Sequence, residues 1–188
     1  MLAGGVPLDV LALVPSDGAC PRQALPPGRV GVEEKVDGWR IVAIKEGRHV
    51  CLMSRTGKDH AARFPDIARA VAELPTRTAI IDGEVAVFDA DLISRFHFLN
   101  DPPPADVTVT PPTYIAFDAI QGGTRDLRRC PLGDRRGELE SSIAKSAILP
   151  ARRLPDDGLK AWALVPERRW RYFAAENNEQ RLARLVHG

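Results

Sequence analysis

The sequence predicts an α+β fold with an antiparallel sheet at its core, and three observations predict it. Short runs of alternating or continuous apolar residues recur from Val30 onward, each bounded by turn-forming residues. Strand-like and helix-like segments do not alternate regularly along the chain, which fits an antiparallel sheet with helices packed beside it. With 188 residues, 44% of them hydrophobic and 27% charged, the chain has material for one packed core and does not read as disordered.

Residues 1–29 are rich in Gly and Pro (Gly4, Gly5, Pro7, Pro15, Gly18, Pro21, Pro26, Pro27, Gly28) and read as an irregular lead-in. Val30 to Val36, Trp39 to Lys45 and His49 to Ser54 then form three strands, the last two joined by a tight turn at Glu46-Gly47-Arg48. Short connections imply that all three pair antiparallel. Pro65 opens a helix at its first turn. Ile67, Val71 and Leu74 share one face of it, and Pro75 stops it. Ala79 to Phe88 is an apolar strand interrupted by Asp82-Gly83-Glu84. Pro102, Pro103, Pro104, Pro111 and Pro112 exclude helix and central strand from the loop they occupy. Tyr114 to Ile120 is a further strand with a turn at Gly122-Gly123. Asp134 is expected to cap a helix running through Ala144. Asp156 or Asp157 caps another, with Leu159, Trp162 and Ala163 inward and Pro166 at its end. Asn178 to Val186 closes the chain as a last helix.

Composition excludes several classes. No stretch approaches the ~20 consecutive apolar residues that a membrane span needs. Met1 to Pro15 lacks a basic residue before its apolar run and makes a poor signal peptide, so the expected compartment is the cytoplasm. Net charge is only +1, with no global field for nucleic acid. Arg125, Arg128, Arg129, Arg135 and Arg136 outnumber Asp126 and Asp134 locally, which suits phosphate but also suits arginine-biased codon usage. Cys20, Cys51 and Cys130 are odd in number and far apart, and the four histidines lack ligand spacing, which argues against structural zinc and a disulfide frame.

Two common phosphate-binding patterns are absent: Gly57-Lys58 is followed by Asp59, and no Gly-x-Gly-x-x-Gly occurs. The segment Glu33-Glu34-Lys35-Val36-Asp37-Gly38-Trp39-Arg40 offers another route. A lysine at a strand end, followed by Asp-Gly, places an amine at a turn where backbone can approach a ligand closely. An amine attacks only when unprotonated, and a nearby arginine or divalent cation favours that form. Alone, the segment reads equally well as a hairpin turn whose lysine extends along its strand.

More motifs follow in order: Ser54-Arg55-Thr56-Gly57-Lys58-Asp59, then Phe64-Pro65, Ile81-Asp82-Gly83-Glu84, and Tyr114-Ile115-Ala116-Phe117-Asp118. Ser94-Arg95-Phe96 and Asp126-Leu127 to Arg136 flank the last two. In this order the set resembles the nucleotidyltransferase motifs of ATP-dependent DNA ligases, most closely the bacterial end-joining type, over about Gly31 to Val165. The resemblance implies an adenylation domain over 30–165, and a ligase acting with ATP and Mg²⁺ on nicked double-stranded DNA in repair and recombination, alongside other end-joining proteins. Residue by residue, it implies Lys35 as the nucleophile that takes AMP from ATP. It puts Glu33 beside the adenine, Arg40 and Arg55 at the ribose and phosphates, Glu84 at the ribose or a Mg²⁺ ion, and Phe117 stacked on the base. A non-catalytic nucleotide-binding remnant, and an RNA ligase or capping-type nucleotidyltransferase, are the alternatives.

The pattern departs from the family near its end. Where a Glu-Gly-apolar-Val-Ala-Lys motif belongs, Arg171 stands at the glutamate, Tyr172 at the glycine and Glu176 at the lysine. The expectation is therefore a domain incomplete at its C-terminus, with a divergent tail over 166–188 and no OB domain after it.

Overall fold

A computed structural model of the chain describes residues 30–153 and 173–177. In chain order the described elements are β1 (Val30–Glu34), β2 (Trp39–Glu46), β3 (His49–Ser54), α1 (Pro65–Ala72), β4 (Thr78–Ala86), a 3₁₀ turn (Phe96–Leu99), β5 (Thr113–Gly122), β6 (Arg125–Asp126), α2 (Leu132–Ile143), β7 (Leu149–Pro150) and β8 (Phe173–Asn177). The lead-in, the helix expected after Asp156 or Asp157, and the helix expected from Asn178 to Val186 lie outside the described residues.

The main sheet has the order β3-β2-β4-β5-β6, antiparallel throughout, and β7 adds a short parallel pairing to β5. The α+β, antiparallel expectation holds. Gly47, at φ +61, closes the two-residue connection from β2 to β3, a backbone state that glycine adopts without steric cost. Helix α1 starts at Pro65, whose missing N–H is harmless there, and buries Ile67 and Val71 against β2 and β3.

Three expectations need correction. β1 does not join β2; it pairs with β8 in a separate two-stranded sheet, Val30 opposite Asn177 and Glu34 opposite Phe173. Its partner comes from far along the chain, so local turn lengths could not identify it. The segment expected to diverge thus supplies a strand beside the one that leads into Lys35. Second, Asp82-Gly83-Glu84 does not interrupt β4, which runs unbroken through them. Arg40 on β2 satisfies the Asp82 carboxylate, and Gly83 admits the Tyr114 ring: a Cβ there would lie 2.7 Å from ring carbons and 2.6 Å from the Ile115 carbonyl oxygen. Third, α2 begins at Leu132 with Pro131 as its N-cap, not Asp134. Burial of Leu132 draws the helix start inward, and Asp134 sits in the first turn, where its charge complements the helix dipole.

The two faces of the sheet differ. One carries the main core: Ile41, Ala43, Leu52, Ile81, Val85 and Tyr114 pack with Ile67 and Val71 of α1 and Leu139 of α2. The Tyr114 hydroxyl, 2.9 Å from both the Ile41 and Ile81 carbonyl oxygens, donates into β2 and β4. The other face has only a small apolar cluster of Val42 and Ile120, flanked by Ile44 and Ile80. By the two-residue period of a strand, Arg40, Asp82 and Glu84 share that second face.

His60 is buried with its ring 5.1 Å from the Trp39 ring. Burial holds its pKa below the ordinary 6.5; Lys58 and Arg63 act in the same direction and Asp59 against it. The unfolded chain therefore binds the proton first as pH falls, so this group's contribution to stability declines below about pH 6.5. Urea midpoints are expected to be lower at about pH 5.5 than at about pH 7.5, and His60→Gln is expected to shrink that difference. An unchanged difference in the variant would show that the loss arises elsewhere.

Candidate functional site

The site is organised by the four-residue connection between β1 and β2. Lys35 leaves β1 exposed, and the chain then turns sharply at Val36-Asp37-Gly38. Two backbone donors pin this turn: the Asp37 N–H donates to Ser94 Oγ at 2.9 Å, and the Gly38 N–H donates to Glu84 Oε1 at 2.8 Å. Gly38 has no room for a side chain, since a Cβ would stand 2.2 Å from the Val85 carbonyl oxygen and 3.0 Å from Glu84 Cγ. The Asp-Gly of the lysine motif and the Asp-Gly-Glu of β4 are thus two halves of one contact.

Glu84 is largely withdrawn from water. Burial raises its carboxyl above the ordinary carboxylate range, while the Gly38 N–H, Lys35 and Arg40 draw it back and Asp37 opposes them. Lys35 and Glu84 are therefore electrostatic neighbours. Arg40, opposite Glu84 in the β2–β4 pairing, grips Asp82 with Nη2 2.8 Å from Oδ2 and Nε 3.3 Å from Oδ1. Its guanidinium also lies 5.5 Å from the centre of the Phe117 ring. Burial pushes the Asp82 carboxyl up to about 7, against the pull of Arg40 and with a further rise from Asp118.

Phe117 reaches this face through a bulge. Asp82 pairs with Asp118 and Gly83 with Ala116, so Phe117 is an extra residue of β5, as is Ile120 between the Ala119 and Gln121 pairings. Such an insertion re-aims a side chain at the cost of one ladder position. Glu33, on β1, joins the group from below: its Oε1 lies 2.7 Å from Nη2 of the buried Arg136. Arg55 stands exposed in the turn after β3, just past Ser54, which pairs with Ile41. It lies at the Arg40 end of the sheet, and no contact among the described residues ties it to the others. The structure thus brings Lys35, Glu84, Arg40 and Phe117 together, links Glu33 through Arg136, and leaves Arg55 at the rim.

Sequence reasoning passed over Asp82, Ser94 and the helix arginines as site-shaping residues. A signal existed for two of them. Arg135 and Arg136 fall three and four residues after Leu132, and Leu139 follows at seven, so both stand on the apolar stripe of α2. Four of the five arginines over 125–136 are paired within the fold, while Arg129 is exposed. Arg125 pairs with Glu138, Arg128 with Asp126, Arg135 with Asp118 and Arg136 with Glu33. No described helix is long and apolar enough to cross a membrane.

Comparison with known proteins matches the sequence and its fold to one family. A family profile described as the ATP-dependent DNA ligase domain matches residues 23–153. DNA ligase C2 of Mycolicibacterium smegmatis is 36% identical over 128 residues, covering 64% of this chain and 35% of that protein. A probable DNA ligase of Streptomyces avermitilis is 33% identical over 146 residues, covering 71% of this chain and 28% of its own length. The crystal structure of the ligase domain of Mycobacterium tuberculosis LigD superposes with a TM-score of 0.69 at 26% identity, covering 82% of this chain and 50% of that one. A mycobacterial DNA ligase D complexed with ATP and MES matches equally well. The chain spans about half of the solved ligase domain and about a third or less of these curated relatives.

Proposed function

This chain belongs to the ATP-dependent DNA ligase family, and on that premise we propose that it carries the adenylation chemistry of a ligase that seals nicked double-stranded DNA in end-joining repair, in the cytoplasm. Lys35 Nζ attacks the α-phosphorus of ATP: an N–P bond forms, the bond to the bridging oxygen breaks, pyrophosphate leaves and the amine gives up its proton to solvent. The AMP then passes to a DNA 5′-phosphate, and the neighbouring 3′-hydroxyl displaces it to close the strand. Relatives named as non-homologous end joining DNA repair proteins support the repair setting.

The observation that carries this reading is the clamp between Gly38 and Glu84. It holds the nucleophile's turn against a half-buried carboxylate that interacts with Lys35, so the turn that carries the amine is positioned before substrate arrives. Phe117 offers a ring face to the base. Arg40 and Arg55 supply forks for the ribose and phosphates, and Glu33 stands beside the adenine.

Among the described residues no group of three or more His, Cys, Asp or Glu is assembled to hold a metal by itself. Mg²⁺ is satisfied by one or two carboxylates together with phosphate oxygens and water. Glu84, whose Oε1 is engaged by Gly38, retains Oε2 for such a role, and the residues fit an ion that arrives with the nucleotide. Bound there, it would neutralise charge developing on the phosphates.

The decisive test is incubation with Mg²⁺ and α-labelled ATP. Acid-labile label on the peptide containing Lys35 is the expected result. ATP binding without label would leave a nucleotide-binding module that has no turnover. Absence of both would overturn the reading.

A further inference from the structure

Arg136 is a guanidinium only 3% exposed, committed to backbone and side chain on several elements. Its Nη1 donates to the Ala116 and Phe117 carbonyl oxygens, each at 3.2 Å. Its Nη2 donates to the Ala151 carbonyl oxygen at 2.9 Å and pairs with Glu33 Oε1 at 2.7 Å; Glu140, one helical turn on, stands at 3.8 Å. The side chain therefore bridges α2, the bulged residue of β5, the strand exit at Ala151 and β1.

β1 needs such a mooring because it is not a strand of the main sheet. Its backbone is tied to the Ala151–Arg153 segment, through the Glu34 N–H to the Arg152 carbonyl and a bridge from Glu33 to Arg153. That segment is tied in turn to β5 by the Ala151 N–H and the Ala116 carbonyl. Arg136 spans the same gap with a charge. Filling space does not account for it: Arg136 Nε is buried with no acceptor among the described residues. Replacing a buried ion pair by well-packed apolar side chains of similar volume is often neutral or stabilising.

We infer that Arg136 is a positioning residue for base recognition. It fixes the Glu33 carboxylate and the Phe117 backbone in the relative placement that selects adenine over guanine. The chemistry favours this outcome. Adenine presents an exocyclic amino donor where guanine presents a carbonyl acceptor, and a carboxylate accepts from the first and repels the second. The inference rests on the reading above, in which Glu33 and Phe117 flank the base.

Equilibrium binding of ATP and of GTP tests it without requiring turnover. Arg136→Gln is expected to weaken ATP at least about tenfold and to leave GTP within about twofold, so that the preference collapses. Arg136→Lys keeps a cation for Glu33 but cannot span the carbonyls, and is expected to fall between. Glu33→Gln combined with Arg136→Gln is expected to cost no more than the worse single change, because the two act through one contact. A purely structural role would lower ATP and GTP binding alike; an unchanged ATP-to-GTP ratio, or additive losses in the double variant, would overturn the inference. Should Arg136→Gln fail to fold by thermal melting, Arg136→Lys and its cycle with Glu33→Gln carry the same test. Wild-type protein that binds ATP without labelling Lys35 would remove the ligase chemistry and leave this inference to be judged on the ratio. Wild-type protein that binds no nucleotide would overturn both.

Discussion

Replacing Lys35 by arginine is expected to abolish covalent labelling by α-labelled ATP, by at least about a thousandfold, while equilibrium ATP binding changes no more than about threefold. The variant separates charge from nucleophilicity. Arginine keeps a cation beside Glu84, so the electrostatic contact that Lys35 makes there survives. A guanidinium in a protein does not lose its proton, and so has no lone pair to offer phosphorus. Lys45 cannot stand in for Lys35. Burial lowers its pKa, which by itself favours attack, but its Nζ donates to the Ala72 and Leu74 carbonyls behind α1, the latter at 2.7 Å. That places it on the core side of the sheet, away from Glu84 and Phe117. Full labelling of Lys35→Arg would assign the nucleophile elsewhere, and peptide mapping would name it.

Gly38→Ala is expected to lower the rate of self-adenylation on the order of a hundredfold and to destabilise the fold by about 2–3 kcal/mol. The cause is geometric. The new methyl would meet the Val85 carbonyl oxygen at 2.2 Å, and that oxygen belongs to a central strand held between β2 and β5, so the turn must lift instead. Lifting it lengthens the 2.8 Å bond from the Gly38 N–H to Glu84 and moves the amine at Lys35 with it. A control at Gly57 distinguishes this from a generic glycine effect. Gly57 has φ +76 with nothing near its Cβ position, so Gly57→Ala strains only a surface turn and is expected to leave labelling within about twofold. Single-turnover labelling and urea unfolding on both variants provide the measurement. Equal rates in Gly38→Ala and the parent would show that the clamp does not orient the lysine.

Much of the site is legible in the sequence, because its parts are short motifs whose chemistry depends on residue type and local spacing. Lys35 before Asp-Gly, Glu84 after Asp-Gly and Phe117 in an apolar strand each suggest a role, and all three lie on one side of the molecule. Arg40 is legible as a cation near the lysine, yet its clasp on Asp82 is not, since a cross-strand partner 42 residues away has no local signature. Ser94 is visible only as part of a flanking run. Its work of accepting the Asp37 N–H emerges when the loop after β4 folds back over the lysine turn.

Residue order and alternation by themselves determined that this chain makes an antiparallel sheet with an amine at one strand end, because strand period, turn residues and helix starts are set within a few neighbours. Tertiary structure alone decided three further matters. It paired β1 with β8, it swung Phe117 outward on a bulge, and it made Arg136 the link between them. Each depends on contacts among segments far apart in the chain, where the closure of long loops and the satisfaction of buried charges settle the outcome.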